Sequence, residues 1–365
     1  MSSIFVPGRL RPTLNRAPNA LSPVSTYSSL LRTVRDAGLL ARCRTFYGTV
    51  FAALTLALGG CIAGFVLLGD SWFQLLIAGG LGIVLTQFAF LAHEASHRQV
   101  FASGPSNDRA GRLIAAGVVG ISYSWWMTKH NRHHANPNTI GKDPDIETDT
   151  ISFIEADAAK QRGLLALLTR FQGYLFFPLL TLEGLNLHYR SIKTLFQPGR
   201  LEGRSLELSL IGVRLGLYLT IIFAMLPVGL AFAFLGVQLA VFGVYMGASF
   251  APNHKGMPLI PEGVKVDFLS RQVLTSRNIR GGFGMSLLLG GLNFQVEHHL
   301  FPNMPRPHLA QAQAIVREHC ARLGILYTET SLAASYAIVV RYLNRVGLAA
   351  RDPFDCPARA AYRRR

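Results

Sequence analysis

Eight of the eleven histidines fall into four tight groups. His93 and His97 stand in HEASH, and His130, His133 and His134 in HNRHH. His254 stands in APNHKG, and His298 and His299 in QVEHH. Residues three and four apart on a helix share one face, so HEASH and HNRHH can each turn two imidazoles toward one ion. Adjacent residues point ~100° apart on a helix. His133 and His134 therefore cannot easily serve a single ion, and His298 and His299 repeat that adjacency. Two metal ions held by about eight imidazoles is the simplest arrangement. Nitrogen ligation without a thiolate suits iron with open positions for dioxygen, while zinc and copper also accept imidazole. His188, His308 and His319 are isolated and read as packing or surface residues.

Two other chemistries fit parts of this pattern. HEASH matches the zinc-protease string HExxH, with Glu94 as general base. Such a site uses three protein ligands and one open position, which leaves the other grouped histidines without a task. A histidine-lined metal transporter would place its ligands within the spans, near mid-bilayer. Here the groups sit where apolar segments end.

Those apolar segments are the elements that must position the histidines. Half of the 365 residues are hydrophobic and only 15% are charged, against ~25% in a soluble domain. Runs at 46–68 and 72–92 approach the ~20 residues a helix needs to cross the hydrocarbon core. Gly69, Asp70 and Ser71 join them, and the second run ends at His93. The stretch 206–251 is long enough for two crossings, with Pro227 and Gly229 near its middle, and it ends at Asn253 and His254. The expected fold is an all-α integral membrane protein: four transmembrane helices in two hairpins, with a helical cap holding a dimetal site. Segment 98–205 carries HNRHH, the acidic GKDPDIETD, and two moderately apolar segments, 113–127 and 164–185. The latter contains Arg170, Gln172 and Glu183 and reads as an interfacial or cap helix. An amphipathic helix is expected near 307–323. Arg214 lies inside the third span, where it either faces the bundle interior or marks a later start to the span.

The net charge is +16. No basic nucleic-acid motif accompanies it, so the expected partner is an anionic leaflet rather than nucleic acid. Arginines cluster at Arg9, Arg11, Arg16, Arg32, Arg35, Arg42 and Arg44, and again at Arg359 and Arg363 to Arg365. The turns at 69–71 and near 227 carry none. The positive-inside rule then puts both termini, the cap and all four histidine groups on the cytoplasmic face. Arginine heavily outnumbers lysine, an association with GC-rich bacterial genomes and hence a bacterial plasma membrane. Cys43, Cys61, Cys320 and Cys356 form no CxxC pair, and no signal peptide is apparent. The expected division is an N-terminal arm (1–44, largely disordered and cytosolic), a catalytic domain (45–325), and a C-terminal helix with a basic tail (326–365).

On these motifs the chain resembles the membrane fatty acid desaturases, an integral-membrane, non-haem diiron family with three histidine boxes. HEASH resembles the first box, HxxxH, and HNRHH the second, HxxHH. QVEHH resembles the third, in the variant where Gln replaces the first His, found in front-end and related acyl-lipid or acyl-CoA desaturases. FPNMPRPHL is similar to that group's extension beyond the box. The resemblance covers roughly 45–325. It implies a four-helix stalk beneath a cytosolic cap, two iron ions, and His93, His97, His130, His133, His134, His298 and His299 as their ligands. His254 resembles an additional ligand outside the boxes. Gln295 holds a ligand-like position, but its amide is a weak donor, so outer or water-mediated contact is expected there, with Asn253 beside it. The implied reaction is O2-dependent desaturation of an acyl-CoA or membrane acyl-lipid. The nearest rival is a membrane diiron hydroxylase. Many front-end relatives carry a fused cytochrome b5 domain with an HPGG string. That string is absent here, so electrons are expected from a ferredoxin or a separate cytochrome b5-type carrier with its reductase.

Three further groups each have two readings. Asp143, Asp145, Glu147 and Asp149 either orient ligand histidines through the second ring nitrogen or form a solvated acidic loop. Tyr123, Trp125 and Trp126 either line an acyl tunnel or form an interfacial belt. Arg190 and Lys193 either meet a phosphate-bearing head group or simply contact the membrane surface.

Overall fold

A computed structural model describes residues 23–349. Arg9, Arg11, Arg16, the C-terminal arginines from Arg359 onward and Cys356 lie outside the described residues. Among the described residues the fold is helical, with four helices long and apolar enough to span a membrane: α2 (Arg44–Leu68), α3 (Gln74–Ser96), α10 (Arg204–Met225) and α11 (Val228–His254). They form two hairpins, broken at Gly69 and at Leu226–Pro227. In α2 and α10 few residues are buried, and large apolar side chains such as Leu56 and Leu217 are bare. By contrast α3 and α11 bury far more of their surface and pack on each other. The inner pair therefore carries His93 and His254 toward a common point.

Other helices build the cap. α1 (Pro23–Asp36) precedes the first span, and α4 (Gly104–Arg112) runs into a π-helix at Leu113–Val119. α5 (Tyr123–Ala135) carries HNRHH. α6 (Glu155–Ala158), α7 (Gly163–Arg170), α8 (Gln172–Leu180) and α9 (Glu183–Phe196) follow. Beyond the last span come α12 (Phe268–Leu274), α13 (Phe283–Leu288), α14 (Gln295–Leu300, carrying QVEHH), α15 (Leu309–Leu323) and α16 (Leu332–Ala349). Two short parallel strands, β1 (Asn278–Ile279) and β2 (Glu329–Thr330), brace the segment before the third box.

Two expectations need correction. Of the arm 1–44, expected to be largely disordered, Pro23–Asp36 is helical. Its Leu30 and Val34, with Leu39, are buried among Leu269, Val273, Leu309 and Val316 of α12 and α15. Tyr27 also donates to the Leu300 carbonyl at 2.9 Å. The 164–185 segment is not one helix: α7 and α8 meet at 101°. Segment 113–127, legible in the sequence only as moderately apolar, is divided at Gly120, whose φ of +93° only glycine adopts readily.

The last point explains Arg214. Gly120 and Ile121 both donate to the Ala115 carbonyl at 2.8 Å. The carbonyls of Val118 and Val119 are left without helical donors, an unsatisfied state costly in a membrane. Arg214 Nε of α10 donates to Val118 O at 3.0 Å, and its guanidinium lies 4.7 Å over the Tyr218 ring. His188 Nε2 approaches Val119 O at 3.4 Å. Arg214 therefore faces the bundle interior.

A second break is mended in the same way near His254. Pro252 lies inside α11 and has no N–H to give the Ala248 carbonyl. Tyr336 of α16 donates to that carbonyl instead, at 2.9 Å. Arg277 and Ser335 then donate to the Pro252 carbonyl.

Candidate metal centre

All eight grouped histidines meet at the ends of α3 and α11, and they separate into two sets. His93, His97, His130, His134 and His298 form one; His133, His254 and His299 form the other. Within each set, one ring nitrogen per residue lies within 4.8 Å of every other. Each adjacent pair is split between the sets, as their ~100° offset on a helix requires. His130 Nε2 lies 3.0 Å from His93 Nε2 and 2.7 Å from His97 Nε2. His254 Nε2 lies 3.3 Å from His133 Nε2 and 3.1 Å from His299 Nε2.

These spacings suit metal ions. Two nitrogens ~2.1 Å from one ion, at right angles, stand ~3.0 Å apart. Several of these atoms are buried with no hydrogen-bond partner among the described residues: both ring nitrogens of His134, His298 Nε2 and His93 Nδ1. Burial also holds the rings neutral, the form that ligates. It pulls His97 down to about 3. His130, His134, His298 and His299 are likewise lowered by burial and then by neighbouring imidazoles. His133 is the exception: burial pulls it down, but Asp145 and Asp143 outweigh this and raise it.

The second ring nitrogens explain how the rings are aimed. His133 Nδ1 lies 3.0 Å from Asp143 Oδ1, and Asp143 accepts the backbone N–H of Asn138 (2.7 Å) and Asp145 (2.9 Å). Asp145 Oδ2 lies 3.4 Å from the same ring, while its Oδ1 pairs with Lys129 at 2.9 Å. His254 Nδ1 faces the Thr275 carbonyl at 3.0 Å, and His299 Nδ1 faces Gln272 Oε1 at 2.9 Å. An Nδ1–H directed at an oxygen leaves the Nε2 lone pair for a metal. Glu147 and Asp149 take no part, pairing at the surface with Arg132 and Arg190. Lys193 sits over the Tyr189 ring.

Sequence reasoning missed Gln272 and Thr275. A carbonyl partner carries no side-chain signal, and Gln272 lies in a segment without a motif. Gln295 stands at the three-histidine set, its amide nitrogen 2.9 Å from His254 Nε2, and its oxygen accepts from Asn253 at 3.0 Å. The smaller set is thus the one beside the Gln of the third box. Glu94 of HEASH is tied elsewhere, by two bonds from Arg306 and one from Tyr47. His188, His308 and His319 lie outside both sets.

An apolar cavity of about 40 Å³ reaches His93, lined also by Ala92, Val119, Tyr123, Trp126 and Phe250. Trp126 stacks on His130 with centroids 5.0 Å apart. Tyr123 and Trp126 border this cavity, whereas Trp125 packs into the surrounding core.

Together the four spans and the two imidazole sets at one end of them describe a helical membrane protein built around a nitrogen-rich metal-ligand cluster. The chain belongs to the fatty acid desaturase family, whose model matches residues 70–331. It is 28% identical to a Delta(8)-fatty-acid desaturase of Helianthus annuus, over 84% of this chain and 70% of that protein. It is 29% identical to an acyl-lipid (9-3)-desaturase of Physcomitrium patens, over 74% and 53% respectively. A Delta 8-(E)-sphingolipid desaturase of Kluyveromyces lactis matches at 28%, over 80% and 54%. The chain thus spans only about half the length of the latter two.

Proposed function

We propose that the chain desaturates a fatty acyl chain, carried as an acyl-lipid or acyl-CoA, at two iron ions. In this reading His93, His97, His130, His134 and His298 hold one ion, and His133, His254 and His299 hold the other beside Gln295. The observation that carries the reading is the division of the adjacent histidines between two buried nitrogen sets. Bound iron would supply O2 activation with two external electrons, the oxidising power that an unactivated alkyl chain demands. The protein's own residues do the rest. Asp143, Thr275 and Gln272 fix the imidazoles, and Asn253 holds the Gln295 amide. Tyr123, Trp126 and Phe250 give the acyl chain an apolar wall beside His93 and exclude water there. The basic cap faces the cytoplasm by the positive-inside rule. Expression in a heterologous host, with double bonds located by mass spectrometry, tests the activity. A new C=C bond in host acyl chains is expected. Hydroxylated products alone would establish the hydroxylase instead.

The electron source is a separate expectation. The sequence has no HPGG string and no cysteine run for an iron–sulfur cluster. Purified protein with acyl substrate, NAD(P)H and O2 is expected to give no turnover. Adding a ferredoxin or cytochrome b5-type carrier and its reductase restores it. Because a chain of charge +16 attracts an acidic carrier, raising the salt weakens the restored rate. Sustained turnover with no carrier present would rule this out.

A further inference from the structure

The third span, α10, supplies no histidine, and none of its residues lines the cavity. Instead it sends two charged side chains toward the segment between the first and second boxes. Arg214 mends the π-helix, as described above. Glu207, in the first turn of α10, is fully buried. Its carboxylate accepts from Ser122 Oγ (2.5 Å), Ser124 Oγ (2.6 Å), the Ser124 backbone N–H (3.1 Å) and Arg112 Nε (3.0 Å).

These partners locate the carboxylate at the N-terminus of α5. Ser122 is the N-cap of that helix, and its Oγ also accepts from Trp125 N–H at 3.1 Å. An anion is stabilised at a helix N-terminus, where backbone N–H groups lack partners and the dipole is positive. Arg112 closes the arrangement from α4. It reaches Glu207 past Gly203, where a Cβ would stand 2.8 Å from the guanidinium. The Ser122 backbone N–H donates to Ser191 Oγ of α9 at 2.5 Å, so three neighbouring helices converge on one end of α5.

That end governs the metal-ligand geometry. α5 bears His130 and His134 of one set and His133 of the other. His130 lies seven residues beyond Tyr123, roughly 10 Å at the helical rise. Tilting α5 about its anchored end by about 5° moves those nitrogens by roughly 1 Å. Displacements of that size cost about a hundredfold in rate when they misplace reacting groups.

We infer that Glu207 is a positioning residue: a buried carboxylate through which the third span sets the angle of the second-box helix, and with it both imidazole sets at once. The inference rests on the reading of those histidines as metal ligands.

The test uses the full-length chain in nanodiscs, stripped of metal and titrated with Co(II). The parent should bind two Co(II) per chain, and failure there would overturn the metal-ligand reading and this inference with it. Glu207→Gln keeps the side chain's shape but removes its charge. It should still bind Co(II), with altered visible d–d bands. In the iron-loaded protein supplied with an electron carrier and its reductase, double bonds formed per O2 consumed should fall at least about tenfold. Ser124→Ala deletes one bond without changing charge. It should shift the same bands in the same direction by less, and it serves if Glu207→Gln does not accumulate. Gln74→Leu is the control: it removes buried hydrogen bonds to the Phe65 and Gly69 carbonyls, at the opposite end of α3 from His93. At a matched loss of thermal stability it should leave the Co(II) spectrum unchanged. An unaltered spectrum in both Glu207→Gln and Ser124→Ala, or an equal change in Gln74→Leu, would overturn the proposal.

Discussion

Alanine at His298 or His133 is expected to lower desaturation more than about a hundredfold, beyond what loss of an outer partner costs a metal site. Protein levels in the membrane should stay near the parent's, because the four spans do not depend on these side chains for burial. The two variants probe different sets, since His298 belongs to the five-histidine group and His133 to the three-histidine group. Each should bind fewer than two irons per chain by elemental analysis, and neither should be rescued by the other site. His308→Ala and His319→Ala should keep most of their activity. His308 bonds to the Leu39 carbonyl at 2.8 Å and lies 3.3 Å from Cys43 Sγ. Losing such contacts costs about 1 kcal/mol of stability and touches no ligand. Equal losses across all four variants would erase the distinction between ligands and bystanders.

Much of this site is legible in the amino-acid sequence, for a physical reason. Ligands delivered by the ends of long apolar helices leave two strong signals together: spans of fixed length, and imidazoles at helical spacing. The splitting of His133 from His134 follows from helix geometry alone, and so does the splitting of His298 from His299. Other parts carry no such signal. Arg214 stands out as an anomaly in its span because its partners are backbone carbonyls, freed by a π-helix that composition does not announce. The helix in the N-terminal arm is hidden because Leu30 and Val34 find their apolar partners far away in sequence, on α12 and α15. Gln272 and Thr275 reach their histidines from a loop and a short helix whose path is set only by tertiary packing. The acidic stretch after the second box reads as one group, yet only Asp143 and Asp145 turn inward. Glu147 and Asp149 find arginines at the surface instead.

Breaking the buried ion pair between Glu94 and Arg306 should produce the largest loss of stability in the cap. The two groups are almost wholly enclosed and joined by bonds of 2.7 and 2.5 Å. Tyr47 of the first span donates toward Glu94 and Gln99, and its hydroxyl accepts the Arg306 backbone N–H at 3.1 Å. Gln99 in turn donates to the Pro302 carbonyl at 2.7 Å. These contacts fasten the first box to the segment just beyond the third, so the pair sets the distance between His93 and His298, whose ring centroids are 4.9 Å apart. Removing one partner strands the other charge in a dry interior, at a cost of about 3–5 kcal/mol. Arg306→Met or Glu94→Leu alone should therefore lower the thermal unfolding midpoint sharply and reduce activity. The combination Glu94→Leu with Arg306→Met leaves no stranded charge and should recover most of the lost stability, since apolar replacements of a buried pair are often neutral. Activity should recover less than stability, because an apolar contact cannot reproduce the two-bond register that aligns His93 with His298. Additive losses in the double variant would mean that the two residues act independently and that their pairing does not hold the boxes together.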